Sequence, residues 1–229
     1  KIIITDNGAT INISQLNKSK SDITVEVTVT KNIIKNKTKI YKRSEVVLVD
    51  KTVGSAENSS GLTTSRYYGL RVEDEEISLN VPDAAKIVGI FESLDSGSAV
   101  LDRLVFGSGS NLNNSLIIGE KCRGMSSGAI GQVVSSTSSE VQFVYLNSNK
   151  FQPQETVKFE ESKVSSSVSS VSIGQYINRT NDFVLDNGQR EQFYDYSRIV
   201  RVSGSVPSKK LLVVFNYYDV QTTDSGDVY

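Results

Sequence analysis

The chain has 229 residues, with 25 basic and 26 acidic side chains spread along it and a formal net charge of −1, so no electrostatic footprint points to nucleic acid or an anionic membrane as partner. It contains no histidine and one cysteine, which removes Ser-His-Asp and Cys-His catalysis, histidine metal sites and any disulfide within the chain. No apolar run approaches the ~20 residues that cross a bilayer as a helix, and neither a cofactor nor a metal is expected.

Residues 11–16 alternate in polarity. Residues 23–30 alternate without a fault, with Ile23, Val25, Val27 and Val29 on one face, as in a half-buried antiparallel strand. A lysine-rich stretch follows, of the kind that blunts an exposed sheet edge, and then the apolar run Val46, Val47, Leu48, Val49. Residues 1–50 are therefore expected to form a partial sandwich-like module, resembling the last strands of an immunoglobulin-type sandwich. Lacking an initiator Met and opening on an isoleucine triplet, the sequence is expected to be a piece of a longer chain. Residues 51–66, rich in Ser, Gly, Asn and Thr, read as a linker.

Residues 67–72 and 76–81 are expected to pair as a hairpin around the acidic stretch 73–76, whose spacing lacks the rhythm of a calcium loop. Pro82, Asp83, Ala84 and Ala85 suggest a single helical turn leading into a strand over residues 87–91, where β-branching favours extended structure. Glycines at short intervals over residues 119–131, followed by strand-like 141–146 and 151–159, let the chain turn sharply between short strands, as a small closed barrel requires. Cys122 lies within this segment and reads as a buried filler, since only Lys121 and Arg123 flank it. The Ser-rich stretch 160–172 reads as a loop or weak edge strand.

The stretch 181–202 packs Phe183, Leu185, Phe193, Tyr194 and Tyr196 among Asp182, Asp186, Asp195, Arg190, Arg198 and Arg201. Asp186, Asn187 and Gly188 signal a tight turn. Residues 211–218 are apolar on both faces, as in a strand buried inside a sheet. The pattern L-D-N-G-Q-R-x-x-F-Y-D-Y-S-R, followed by an L-x-V-x-F-x-Y-Y strand, resembles a segment of virion structural proteins of T4-like marine phages, especially cyanophages. The glycine-rich segment G-E-x-x-x-G-x-S-S-G-A-x-G-x-V, followed by a strand and then by F-x-x-x-E-x-V, resembles a small barrel motif of phage proteins. The resemblance implies a tail, baseplate or fibre component located in the virion. Its partners would be other virion proteins, with self-association and a host glycan left open, and it carries no enzymatic residues.

The structural signature is thus Asp186, Asn187, Gly188, Arg190, Phe193, Tyr194, Asp195, Tyr196 and Arg198. Tyr217 and Tyr218 are the candidate ligand surface, since exposed tyrosine faces stack on glycans. A glycan-cleaving enzyme would need two carboxylates facing across a cleft. Asp182, Asp186, Asp195 and Asp219 are candidates, but the first three each have an arginine close in sequence and read first as halves of ion pairs. The expected fold is all-β and multi-module: the partial sandwich, the linker, a β domain from residues 67–106 and 162–229, and a barrel inserted at 107–161. The expected function is structural and not enzymatic. A carbohydrate-binding receptor module and a glycan-cleaving tail enzyme are the alternatives.

Overall fold

The structure is a computed structural model and describes residues 2–5, 10–13, 33, 35–50, 71–107, 112–191 and 194–220. It divides into two compact units, Lys1–Thr38 with Thr222–Tyr229, and Lys39–Gln221. In the first unit, β1 (Ile2–Thr5) runs antiparallel to β2 (Thr10–Ile13), with Ile2 opposite Ile13. The alternating stretch 23–30, the linker 51–66, the first strand expected at 67–72 up to residue 70, and Phe193 lie outside the described residues.

The fold is all-β, as the sequence indicates: among the described residues the only helical elements are two 3-10 turns, Leu112–Asn114 and Thr180–Asp182. In chain order the second unit holds β3 (Lys39–Val49), β4 (Glu76–Pro82), β5 (Ala84–Ser93), β6 (Asp102–Phe106), β7 (Lys121–Gly124), β8 (Ile130–Ser136), β9 (Glu140–Tyr145), β10 (Thr156–Phe159), β11 (Ser165–Ser172), β12 (Tyr176–Asn178), β13 (Phe183–Asp186), β14 (Tyr196–Arg201) and β15 (Leu211–Val220). They form a four-stranded sheet β12-β5-β15-β3, a three-stranded sheet β13-β14-β4, and a closed barrel β10-β11-β6-β9-β8-β7.

β15 sits between β5 and β3 and is buried on both faces. Leu211, Val213, Phe215 and Tyr217 pack with Ile77, Leu79, Phe183 and Ile199 of the three-stranded sheet, giving a sandwich core. Val214 and Leu212 pack on the other side with Val134 and Val144 of the barrel. The apolar character of both faces of residues 211–218 follows from this middle position.

Three expectations need correction. The module of residues 1–50 is divided, because β3 pairs with β15 from Val49 opposite Leu211 to Lys39 opposite Val220 and belongs to the second unit. Val47 and Val49 face the sandwich core while Val46 faces the barrel, so the strand is satisfied only in that layer. The barrel is larger than residues 107–161, since β6 and β11 close it and supply Leu104, Phe106 and Val168 to its core. Finally, residues 82–85 form no helical turn. Asp83, at φ +56°, is a corner at which the chain leaves the three-stranded sheet as β4 and enters the four-stranded sheet as β5; aspartate tolerates that conformation better than most residues. Residues 87–91 are strand, as β-branching suggested.

The barrel has an internal two-fold repeat, displaced by the 35 residues from Glu120 to Glu155. Gly119 N donates to Val133 O at 2.8 Å, and Gln154 N to Val168 O at 2.8 Å. Val133 N donates to Glu120 O, and Val168 N to Glu155 O, each at 2.9 Å. Gly119 and Gln154 both have positive φ, as do Gly128 and Lys163. Each glutamate clasps the other half: the Glu120 carboxylate accepts Glu161 N and Ser162 N at 2.9 Å, and the Glu155 carboxylate accepts Ser126 N at 3.3 Å and Ser127 N at 3.1 Å. A buried carboxylate is tolerable here because N–H groups surround it.

The barrel is fastened to the four-stranded sheet by buried polar groups. Ser44, on an irregularity of β3 opposite Asn216, donates through Oγ to Val133 O at 2.7 Å. Asn216 Oδ1 accepts Ser44 N at 3.0 Å and Gln132 Nε2 at 2.9 Å. Gly119 lies so near that a Cβ there would be 2.2 Å from Arg43 Cβ, and the Arg43 guanidinium pairs with Glu161.

Candidate functional site

The turn after β13 gathers most of the residues singled out in the sequence. Asp186 Oδ1 accepts Gly188 N and Asn187 Oδ1 accepts Gln189 N, both at 3.0 Å, two successive side-chain-capped turns. Gly188 has φ +78°, and Asp195 N returns to its carbonyl at 2.7 Å. Around this turn runs a chain of alternating charge. Arg190 meets Asp186 with both nitrogens, at 2.9 and 2.7 Å, and approaches Asp195 at 3.8 Å; Arg198 pairs with Asp195 and with Glu76 at 2.9 Å. The Arg190 guanidinium, with the Gly188 N–H, holds the Asp186 carboxyl at about 2.

The tyrosines separate. Tyr217 is buried in the sandwich core beside Phe215, so it is not part of any ligand surface. It sits on the inward face of β15, and the strand's alternation sends Tyr218 outward. Tyr218 is 39% exposed and stands against Tyr41 with ring centroids 5.1 Å apart and planes tilted by 44°, not coplanar. Tyr196 is exposed on β14, and Tyr194 accepts a hydrogen bond from Lys39 Nζ at 3.0 Å.

Asp83, Ala84, Ala85, Leu185, Asp186, Asn187, Gln189 and Tyr218 line an open groove of about 340 Å³. Its key residue, Asp83, is in the sequence only part of the expected helical turn. Here its Oδ2 receives Lys39 Nζ at 2.5 Å and its Oδ1 receives Gln189 Nε2 at 2.8 Å. Burial pulls the Lys39 ammonium down, but the bonds to Asp83 and Tyr194 outweigh it and leave its pKa raised. The Ser197 hydroxyl ties the groove's two sides, accepting Ala84 N at 2.8 Å and donating to Asn187 O at 2.8 Å.

The other acidic candidates are engaged elsewhere. Asp182 pairs with Arg179 at 3.2 Å, and the same arginine pairs with the fully buried Glu92 at 2.7 Å. Burial pushes Glu92 up, but the Ser208 N–H, Arg179 and the Lys209 N–H overcome it and the net shift is downward. Asp219 caps Val220 N at 2.9 Å. Cys122 is fully buried in the barrel core, where burial pushes its thiol up to about 12, far from a reactive thiolate. The Tyr176 hydroxyl bonds Asp102 and is likewise raised, by burial first and then by that carboxylate. Glu120 and Glu155 stand in the two segments of the barrel motif, but their role as clasps is not written there. The visible signal was a glutamate immediately before a short alternating run, once at Lys121 and again at Thr156.

No family model, curated protein or solved structure matches the chain.

Proposed function

We propose that the chain is a structural component of a phage particle, of tail, baseplate or fibre type, acting in the virion through contacts with other virion proteins or with further copies of itself. The observation that carries this reading is the joint between barrel and sandwich. A buried network of Ser44, Gln132 and Asn216, together with an apolar layer around Val134, Val144 and Val214, fuses two all-β bodies into one block. Such a joint resists shear, because separating the bodies would strand buried polar groups. The resemblance of residues 183–218 to virion proteins supplies the setting.

The proposal assigns no enzymatic activity. A glycan-cleaving site needs one carboxyl held protonated near neutrality. In the groove Asp186 is displaced in the opposite direction, and Asp83 is engaged by Lys39 and Gln189.

The test is an antibody raised against the purified chain and applied to gradient-purified particles of the phage that encodes it. Label should appear in electron micrographs at a fixed place on the tail, baseplate or fibres. Particles without label, and without peptides of this chain by mass spectrometry, would refute the reading.

A further inference from the structure

We infer that the groove between Asp83 and Tyr218 is a binding site for a neutral saccharide, a role that stands apart from the particle-building one. Four features point there. The first is charge. Both carboxylates of the groove are already matched, Asp83 by Lys39 at 2.5 Å and Asp186 by Arg190 at 2.7 Å. An ionic ligand would have to compete with these pairs, whereas an uncharged one need not.

The second is the set of uncommitted polar atoms. Asn187 Oδ1 is fixed by Gln189 N, which leaves Nδ2 as a donor. Gln189 Nε2 is fixed by Asp83, which leaves Oε1 as an acceptor. Neither remaining atom, nor the Tyr218 hydroxyl, has another hydrogen-bond partner among the described residues. Each amide is therefore oriented by the protein before a ligand arrives, and the groove lining carries one donor and one acceptor, the pair that sugar hydroxyls can satisfy.

The third is apolar surface: Ala84, Ala85 and Leu185 line the groove together with Tyr218, whose ring stands against Tyr41 and has Lys39 Nζ 5.8 Å from its centroid. The fourth is size. About 340 Å³ falls at the small end of ligand pockets and suits one or two sugar rings. An open groove with few hydrogen bonds implies millimolar affinity per site, which repeated copies on a particle would raise by avidity.

The test is saturation-transfer NMR on the full 229-residue chain. The probes are glucose, galactose, mannose, maltose and lactose at millimolar concentration, with galacturonate and glucosamine as anionic and cationic counterparts. At least one neutral sugar should receive saturation and the charged analogues less. Asn187→Asp keeps the Oδ1 acceptor that holds the turn but replaces the free donor. Tyr218→Phe keeps the ring and removes the hydroxyl. Each should weaken binding about tenfold, the upper range for one hydrogen bond, with an unchanged melting temperature for Tyr218→Phe. No transfer from any neutral sugar, undiminished transfer in both variants, or preference for a charged analogue would overturn the inference. Absence of this chain from phage particles would leave it intact.

Discussion

Gly188→Ala should destabilise the second unit by about 3 kcal/mol. A Cβ at φ +78° costs about 1–2 kcal/mol at this position. Space adds to the penalty: the new atom would lie 2.2 Å from Asp195 O and 3.0 Å from Asp195 C, both backbone, so the return strand must move. That movement breaks the 2.7 Å bond from Asp195 N to Gly188 O, worth about 1 kcal/mol. For a unit of this size the melting temperature should fall by roughly 6–12 °C, read by circular dichroism. Gly188→Asn separates the two causes, because asparagine relieves the conformational cost but keeps the collision, so it should recover only part of the loss. Gly107→Ala is the control, since nothing lies within 4 Å of its Cβ. If Gly188→Ala melts within about 2 °C of the parent, the turn does not hold the return strand as described.

Replacing residues 102–173 by a short Gly-Ser turn should leave a cooperatively folding sandwich, because Val100 and Gln175 already pair across the excision; removing 107–161 alone should not, since it strands β6 and β11, and two cooperative denaturant transitions would refute this. Glu120→Ala and Glu155→Ala should each cost about 2 kcal/mol by removing hydrogen bonds from part-buried N–H groups to a charged carboxylate. The two-fold repeat predicts similar losses, and urea unfolding in which only one variant loses stability would contradict the clasp. Asp186, held at about 2 against roughly 3.9 in the unfolded chain, binds protons more readily when unfolded. Its contribution is therefore complete above about pH 4 and fades as pH falls toward 2. The stability gap between the parent and Asp186→Asn should stay level from pH 7 to about 4 and close below it, and a gap that widens on acidification would reverse the assignment.

Local chemistry wrote much of this into the sequence. The strand alternation, the double-faced burial of residues 211–218 and the Asp186-Asn187-Gly188 turn are properties of short windows, set by side-chain direction and permitted φ. So is the pairing of Asp186 with Arg190, four residues apart. Distant partners decided the rest. The barrel's ends could not be read, because β6 is only five residues long and β11 is mostly serine, and they become barrel strands only when they find each other across the chain. Lys39, Asp83 and Gln189 meet only because β3, the β4–β5 corner and the turn after β13 converge. Tyr217 and Tyr218 are indistinguishable in composition. Which of them faces the core was fixed by the position of β15 between two layers, where each successive side chain must serve the opposite one.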